Sequence, residues 1–190
     1  ADYGHHPTAI RETLAAVRQR EPGRRVWAVY EPLTYHRTAA LLDAFAEVLA
    51  AADAIAIADI WAGRDPDTTV ASAAGLAAAV AERAPGKTSV APGSVEATAA
   101  WLAGAVRDGD VILVMGGGRS YRIGELLLEQ SLADCPCGRR SKIHQIFFER
   151  GQGIGGAQPL DKAGDGKFHE LLTRAAEPIA GRTEAGDIAV

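Results

Sequence analysis

A carboxylate, a phenol and two imidazoles crowd the first seven residues: Asp2, Tyr3, His5 and His6, with Gly4 among them and Pro7 behind. Pro7 and Thr8 lead into a helical pattern, and proline is tolerated in a first turn because its missing N–H has no partner there anyway. The polar cluster therefore sits at the positive end of a helix, a place suited to a carboxylate or phosphate. The adjacent imidazoles do not make a metal site. Neighbouring side chains diverge, and no Cys, Asp or Glu at helical spacing completes a shell. No metal site is read elsewhere in the chain.

Two further places carry candidate chemistry. Tyr35 and Arg37 precede a second helical pattern, and an arginine at a helix start stands against the dipole, where a solvated charge gains nothing. Gly116-Gly117-Gly118 follows an apolar run and invites comparison with a phosphate-cradling loop. Neither G-x-G-x-x-G nor a Walker pattern is present, so a tight strand-to-helix turn is the better reading. Cys135-Pro136-Cys137 has neither metal-ligand nor thioredoxin spacing and reads as a free thiol pair.

The elements that must position these residues follow from periodicity. Ile10, Leu14 and Val17 mark an amphipathic helix over 8–20, closed by Glu21-Pro22-Gly23. Residues 25–30 form a β-prone run, and 38–52 a helix with Leu41, Leu42, Phe45, Val48 and Leu49 on one side. A strand over 54–60, a polar loop over 61–69, an Ala-rich helix over 72–84 and a short strand over 88–91 come next. Ser94 suits the cap of a helix marked by Val95, Ala99, Leu102 and Val106. Val111 to Met115 is the clearest strand, followed by a helix through Leu126, Leu127 and Leu128. Alternating strands and helices predict an α/β fold, a Rossmann-like, mostly parallel sheet with helices on both faces. Ligands of such sheets gather outside the carboxyl ends of the strands, where residues 31–37 and 116–119 both fall. Beyond about Ser131 the chain turns Gly- and Pro-rich, predicting an irregular C-terminal extension with an edge strand over 143–150 and a short helix over 167–177.

Composition narrows the class. A chain of 190 residues with 47% hydrophobic and 23% charged residues is globular, and a net charge of -4 supplies no basic field for nucleic acid. No apolar run approaches the roughly 20 residues needed to span a bilayer. Two cysteines are too few for a disulfide framework and fit a reducing cytoplasm. The chain begins at Ala1 inside a motif, and is read as a piece of a longer protein.

Three blocks in register carry a resemblance. The start, D-Y-G-H-H-P-T, resembles D-D-Y-G-H-H-P-T at the head of the C-terminal domain of Mur ligases. Residues 31–38, E-P-L-T-Y-H-R-T, resemble that family's Q-P-H-T-Y-S-R-T, and residues 109–118, G-D-V-I-L-V-M-G-G-G, its G-D-V-V-L-x-M-G-A-G. Together they span residues 1 to about 130, which gives a domain over 1–130 and an extension of unknown role over 131–190. The likeness is strongest to the branch that joins L-alanine to UDP-N-acetylmuramate in peptidoglycan biosynthesis.

The resemblance implies a lid domain of an ATP-dependent, magnesium-requiring amide-forming ligase, with ATP and magnesium bound mainly by upstream domains. It places Asp2 at the ribose of ATP and Tyr3, His5, Tyr35 and Arg37 at the substrate, Arg37 meeting a carboxylate. It assigns no catalytic residue to this stretch alone. The partners it implies are UDP-N-acetylmuramate, L-alanine and the upstream ligase domains, with neither nucleic acid nor membrane. Leu33 stands where the family has a histidine and His36 where it has a small residue, both departures in the amino-acid pocket. A murein peptide ligase of cell-wall recycling is the nearest alternative. Its pattern there resembles E-P-R-S-N-T, so Glu31-Pro32 leans toward it and Tyr35-His36-Arg37 away. A stand-alone nucleotide- or partner-binding module is the alternative from another class.

Overall fold

The computed structural model describes residues 5–133 and 143–148. Five parallel strands form one sheet in the order β3-β2-β1-β4-β5. In chain order the elements are α1 (Pro7–Arg20), β1 (Val26–Glu31), α2 (Tyr35–Ala40), α3 (Leu42–Leu49), β2 (Ala54–Ala58), α4 (Ala73–Arg83), β3 (Thr88–Gly93), α5 (Val95–Ala105), β4 (Asp110–Gly116), α6 (Tyr121–Ala133) and β5 (Ile143–Phe148).

The three central strands are buried along their whole length, while β3, at one edge, is half-buried throughout. That is the burial expected of apolar runs covered on both faces by crossover helices. Side chains alternate across the sheet. Val26, Ala28 and Tyr30 pack with Ile10, Leu14 and Val17 of α1, Phe45 and Leu49 of α3, and Leu76 and Val80 of α4. Trp27 and Val29 face Val95, Ala99 and Leu102 of α5 and Ile123 and Leu127 of α6.

Helix starts follow local chemistry. Pro7 occupies the first turn of α1, and the His6 imidazole Nδ1 accepts from the Thr8 N–H at 3.3 Å. Ser72 and Ser94 accept from the N–H groups of Gly75 and Ala97, each three residues on, satisfying donors that the helix itself leaves open.

The helix expected over 38–52 is different in kind. It begins at Tyr35 and breaks at Leu41 (φ -115°, ψ 19°), so that residues 35–40 serve the rim of the sheet and 42–49 its core. The edge strand expected over 143–150 is β5, parallel to β4, and it lies within the stretch read as an extension. The helix expected over 167–177 lies outside the described residues.

The amino-terminal pole of the sheet is structural. Asp110 accepts from Arg25, from the indole N–H of the buried Trp27 at 2.9 Å and from the Arg107 N–H. Asp53 accepts from the Val26 N–H and pairs with Arg18, and Lys87 donates to the carbonyls of Ala50 and Ala52. These charges are committed to closing the fold.

Candidate functional site at the carboxyl rim of the sheet

The strand order reverses between β1 and β4. The segment leaving β1 runs toward α3 on one face, and the one leaving β4 toward α6 on the other. Their divergence opens the crevice where ligands of such sheets bind. Helix α1 reaches the same rim from outside. It runs opposite to β1, which follows it after a short turn. Its 14 residues rise about 21 Å, close to the roughly 20 Å of a six-residue strand. Its amino terminus, with His5 and His6, therefore returns to the level of the β1 carboxyl end. His6 is spent on the α1 cap, and His5 is half-buried. Asp2 and Tyr3 lie outside the described residues.

The glycine turn is already filled. Glu31, the last residue of β1, is 4% exposed. Its carboxylate faces the backbone N–H groups of Ser120, Arg119 and Gly118, which lead into α6, and its Oε2 is buried with no hydrogen-bond partner among the described residues. Burial pushes this carboxyl above its usual range, against the pull of those N–H groups and the charge of Arg119. An internal carboxylate thus lies against the glycine turn, which favours the tight-turn reading of Gly116-Gly117-Gly118. Gly116 sits opposite Glu31 with φ 139°, in direct contact with its backbone.

Leu33, in place of the family histidine, packs its methyls over Gly117. A Cβ built there would lie 3.0 Å from them. Trp61 does the same at Gly118, where the built Cβ would meet its ring at 2.7 Å. The loops after β1, β2 and β4 are thereby interlocked, although Trp61 is still 45% exposed. Arg119, to which the sequence assigned no role, pairs with Glu96 at 2.9 Å.

Arg37 and Tyr30, like Glu31, carry buried polar atoms without hydrogen-bond partners among the described residues. Arg37 is half-buried on α2, and its NH1 nitrogen is buried with no hydrogen-bond partner among the described residues. The hydroxyl of the fully buried Tyr30 is likewise unpartnered. Burial pushes the Tyr30 phenol far up, and the nearby Arg37 charge opposes that shift. A buried guanidinium nitrogen without a partner costs desolvation, which an anion brought against it would return. Tyr35 is half-buried at the start of the same helix.

His36, the other departure, is bound to the loop after β2. Its N–H donates to Asp65 Oδ2 at 2.9 Å, and its Nδ1 lies 2.8 Å from Asp65 Oδ1. The His36 N–H, with the imidazole behind it, holds the Asp65 carboxyl below its usual range.

The structure therefore brings Tyr35 and Arg37 together on α2, just after the carboxyl end of β1, with His5 just ahead of α1. Sequence reasoning missed Tyr30, Glu31, Trp61 and Asp65. A charged residue closing an apolar strand was a signal for Glu31; nothing local marks Asp65. Among the described residues no three of His, Cys, Asp and Glu gather as a metal site, and no helix is long and apolar enough to cross a membrane.

Residues 1–118 match the Mur ligase, glutamate ligase domain. The chain is 40% identical over 128 residues to the UDP-N-acetylmuramate–L-alanine ligase of Clostridium novyi (strain NT), covering 67% of this chain and 27% of that one. It is also 40% identical over 128 residues to the ligase of the same name from Roseiflexus sp. (strain RS-1), covering 67% and 26%. The chain thus spans about a quarter of the length of the curated relatives it matches. Among solved structures it resembles a Haemophilus ducreyi 35000HP domain described as that of a UDP-N-acetylmuramate:L-alanyl-gamma-D-glutamyl-diaminopimelate ligase. The TM-score is 0.50 at 26% identity, covering 68% of this chain and 86% of that one.

Proposed function

The chain belongs to the Mur ligase family, whose glutamate ligase domain it carries, and on that premise we propose that it is the C-terminal lid of an ATP-dependent ligase joining L-alanine to UDP-N-acetylmuramate in peptidoglycan biosynthesis. The observation that carries this reading is Arg37, on the helix that follows β1, whose buried NH1 has no hydrogen-bond partner among the described residues. A planar guanidinium suits a carboxylate, and the amino acid brings one. His5 and Tyr35 complete a polar wall toward the substrate, with Tyr3 two residues before His5 in sequence.

ATP and magnesium find little to hold them on the described residues. Glu31 faces the N–H groups ahead of α6, and His6, Ser72 and Ser94 each take one N–H at the starts of α1, α4 and α5. The nucleotide's phosphates and their cation accordingly belong to upstream domains, and Asp2 is the residue here for the ribose. What this chain supplies is orientation of the amino acid and exclusion of water when the lid closes. It does not ligate alone. Such a ligase works in the cytoplasm, where its nucleotide-linked substrate is made.

The second reading is the recycling enzyme that transfers a preformed peptide. It is favoured by Glu31-Pro32 and by the kinship of the Haemophilus domain. Reconstitution separates the two. This chain is mixed with the separately made upstream half of its parent, together with ATP, magnesium and UDP-N-acetylmuramate, and phosphate release is followed. Turnover that needs both pieces and L-alanine is expected. Turnover with peptide but not alanine would assign the chain to recycling, and silence from well-folded, associating pieces would leave a binding module.

A further inference from the structure

We infer that Asp65, acting through His36, is the positioning residue that aims Arg37, so that the substrate arginine is set by a loop contributed from the neighbouring strand. This inference rests on the role proposed for Arg37.

The segment carrying Arg37 does not hold its own shape. Helix α2 has six residues, too few to persist without tertiary support. Its N-cap residue, Thr34, has φ 62° and ψ 143° and makes no side-chain cap. A threonine in the positive-φ region is held there only when its surroundings over-determine it.

The surroundings are the loop after β2. Trp61 brackets the turn with its main chain, its N–H donating to the Pro32 carbonyl and its carbonyl accepting from the Thr34 N–H, both at 2.9 Å. Asp65 then does the capping that Thr34 does not, accepting from the N–H group of His36 at the open end of α2. The same carboxylate reaches the His36 ring with its second oxygen. Thr38 closes the turn from within, its hydroxyl donating to the Thr34 carbonyl at 2.8 Å.

The loop is a firm support. Asp65 N–H donates to the Ala62 carbonyl, and Asp67 accepts from both the N–H and the hydroxyl of Thr69. Arg37 itself has no ion pair among the described residues to fix its direction, so its aim is inherited from the backbone on which it stands. His36 in place of a small residue is then a strut for the arginine next to it.

Four variants test this: Asp65→Ala, Asp65→Asn, Asp65→Glu, and Asp67→Ala as a loop control. The first readout is 15N relaxation of the Arg37 Nε in the full chain, alongside far-UV circular dichroism. Asp65→Ala should lower the Arg37 order parameter while the helical signal is kept. Asp65→Asn, which retains an acceptor for the backbone but not the charge, should fall between. Asp65→Glu should recover part of the order, and Asp67→Ala, which loosens the loop but keeps the carboxylate, should lower it less than Asp65→Ala. An Arg37 order parameter indifferent to Asp65→Ala and Asp65→Asn overturns the inference.

The second readout is the reconstituted ligase, where Asp65→Ala should raise KM for L-alanine roughly tenfold with kcat little changed. A loss confined to kcat would also overturn it, because misaimed binding appears in KM. If the wild-type pieces do not turn over alanine, the proposed function fails by itself, and the relaxation experiment still decides the positioning role.

Discussion

Replacing Gly116 by alanine separates a packed turn from a phosphate cradle. Gly116 ends β4 with φ 139°, beside Glu31. A Cβ at that position would collide with the Glu31 carbonyl oxygen and stand 2.9 Å from its Cβ and 3.1 Å from its carbonyl carbon. None of these atoms is the free end of a side chain, so the two central strands would have to part. Forcing an L-residue into positive φ costs roughly 1–2 kcal/mol, and overpacking a fitted interior roughly 1–3 kcal/mol.

A loss of about 2–5 kcal/mol is therefore expected, a large fraction of an ordinary domain's stability of about 5–15 kcal/mol. At roughly 2–4 °C per kcal/mol this lowers Tm by about 5–20 °C. Gly117→Ala is the companion. No positive φ is needed there, and the nearest atoms are the terminal methyls of Leu33, at 3.0 and 3.1 Å, which can rotate aside, with only its Cβ, at 3.3 Å, more firmly fixed. Its cost should stay within about 1 kcal/mol.

Urea unfolding followed by the fluorescence of the buried Trp27 measures both, with an unchanged m-value confirming that stability alone has moved. The reasoning is refuted if Gly116→Ala stays within about 1 kcal/mol of the parent, or if Gly117→Ala is the more damaging.

Three further outcomes are expected. Arg37→Ala should abolish alanine-dependent turnover in the reconstituted ligase without lowering Tm, because its NH1 gives up no partner within the described fold; a matching fall in Tm would recast the arginine as structural. Glu31 has its folded pKa raised, chiefly by burial, so its contribution to stability is complete below the unfolded value of about 4.3 and is lost as pH rises through the folded value. Glu31→Gln should therefore gain on the parent as pH climbs through that window, in urea midpoints taken at several pH values, and the opposite trend would mean that the three N–H donors outweigh desolvation.

Asp53 runs the other way. Burial pushes it up, but the hydrogen bonds from Arg18 and Val26 and the charges of Arg18 and Lys87 hold it below its usual range. Its contribution is present above the unfolded value of about 3.9 and lost as pH falls through the folded one. Asp53→Asn should destabilise at neutral pH and flatten the acid limb, and an unaltered acid limb would remove Asp53 from the acid response.

The sequence by itself determined what depends on near neighbours. The apolar runs of β1, β2 and β4, the spacing of Ile10, Leu14 and Val17, and the serine at 94 each act within a few residues, so period and capping chemistry are visible without the fold. The α/β class followed from their alternation, and Arg37 from three blocks of resemblance. Only the tertiary structure decided which strand lies beside which, since one apolar strand pairs as readily as another until crossovers and helix faces are satisfied together.

It also decided where the polar groups went. Glu31 reads as one more charge at a strand end, yet it is buried against the turn before α6, because parallel pairing sets Gly116 opposite it. His36 and Asp65 lie 29 residues apart, beyond any local pattern. They meet because β1 and β2 are adjacent and parallel, which brings the ends of both strands, and the loops that leave them, to the same rim.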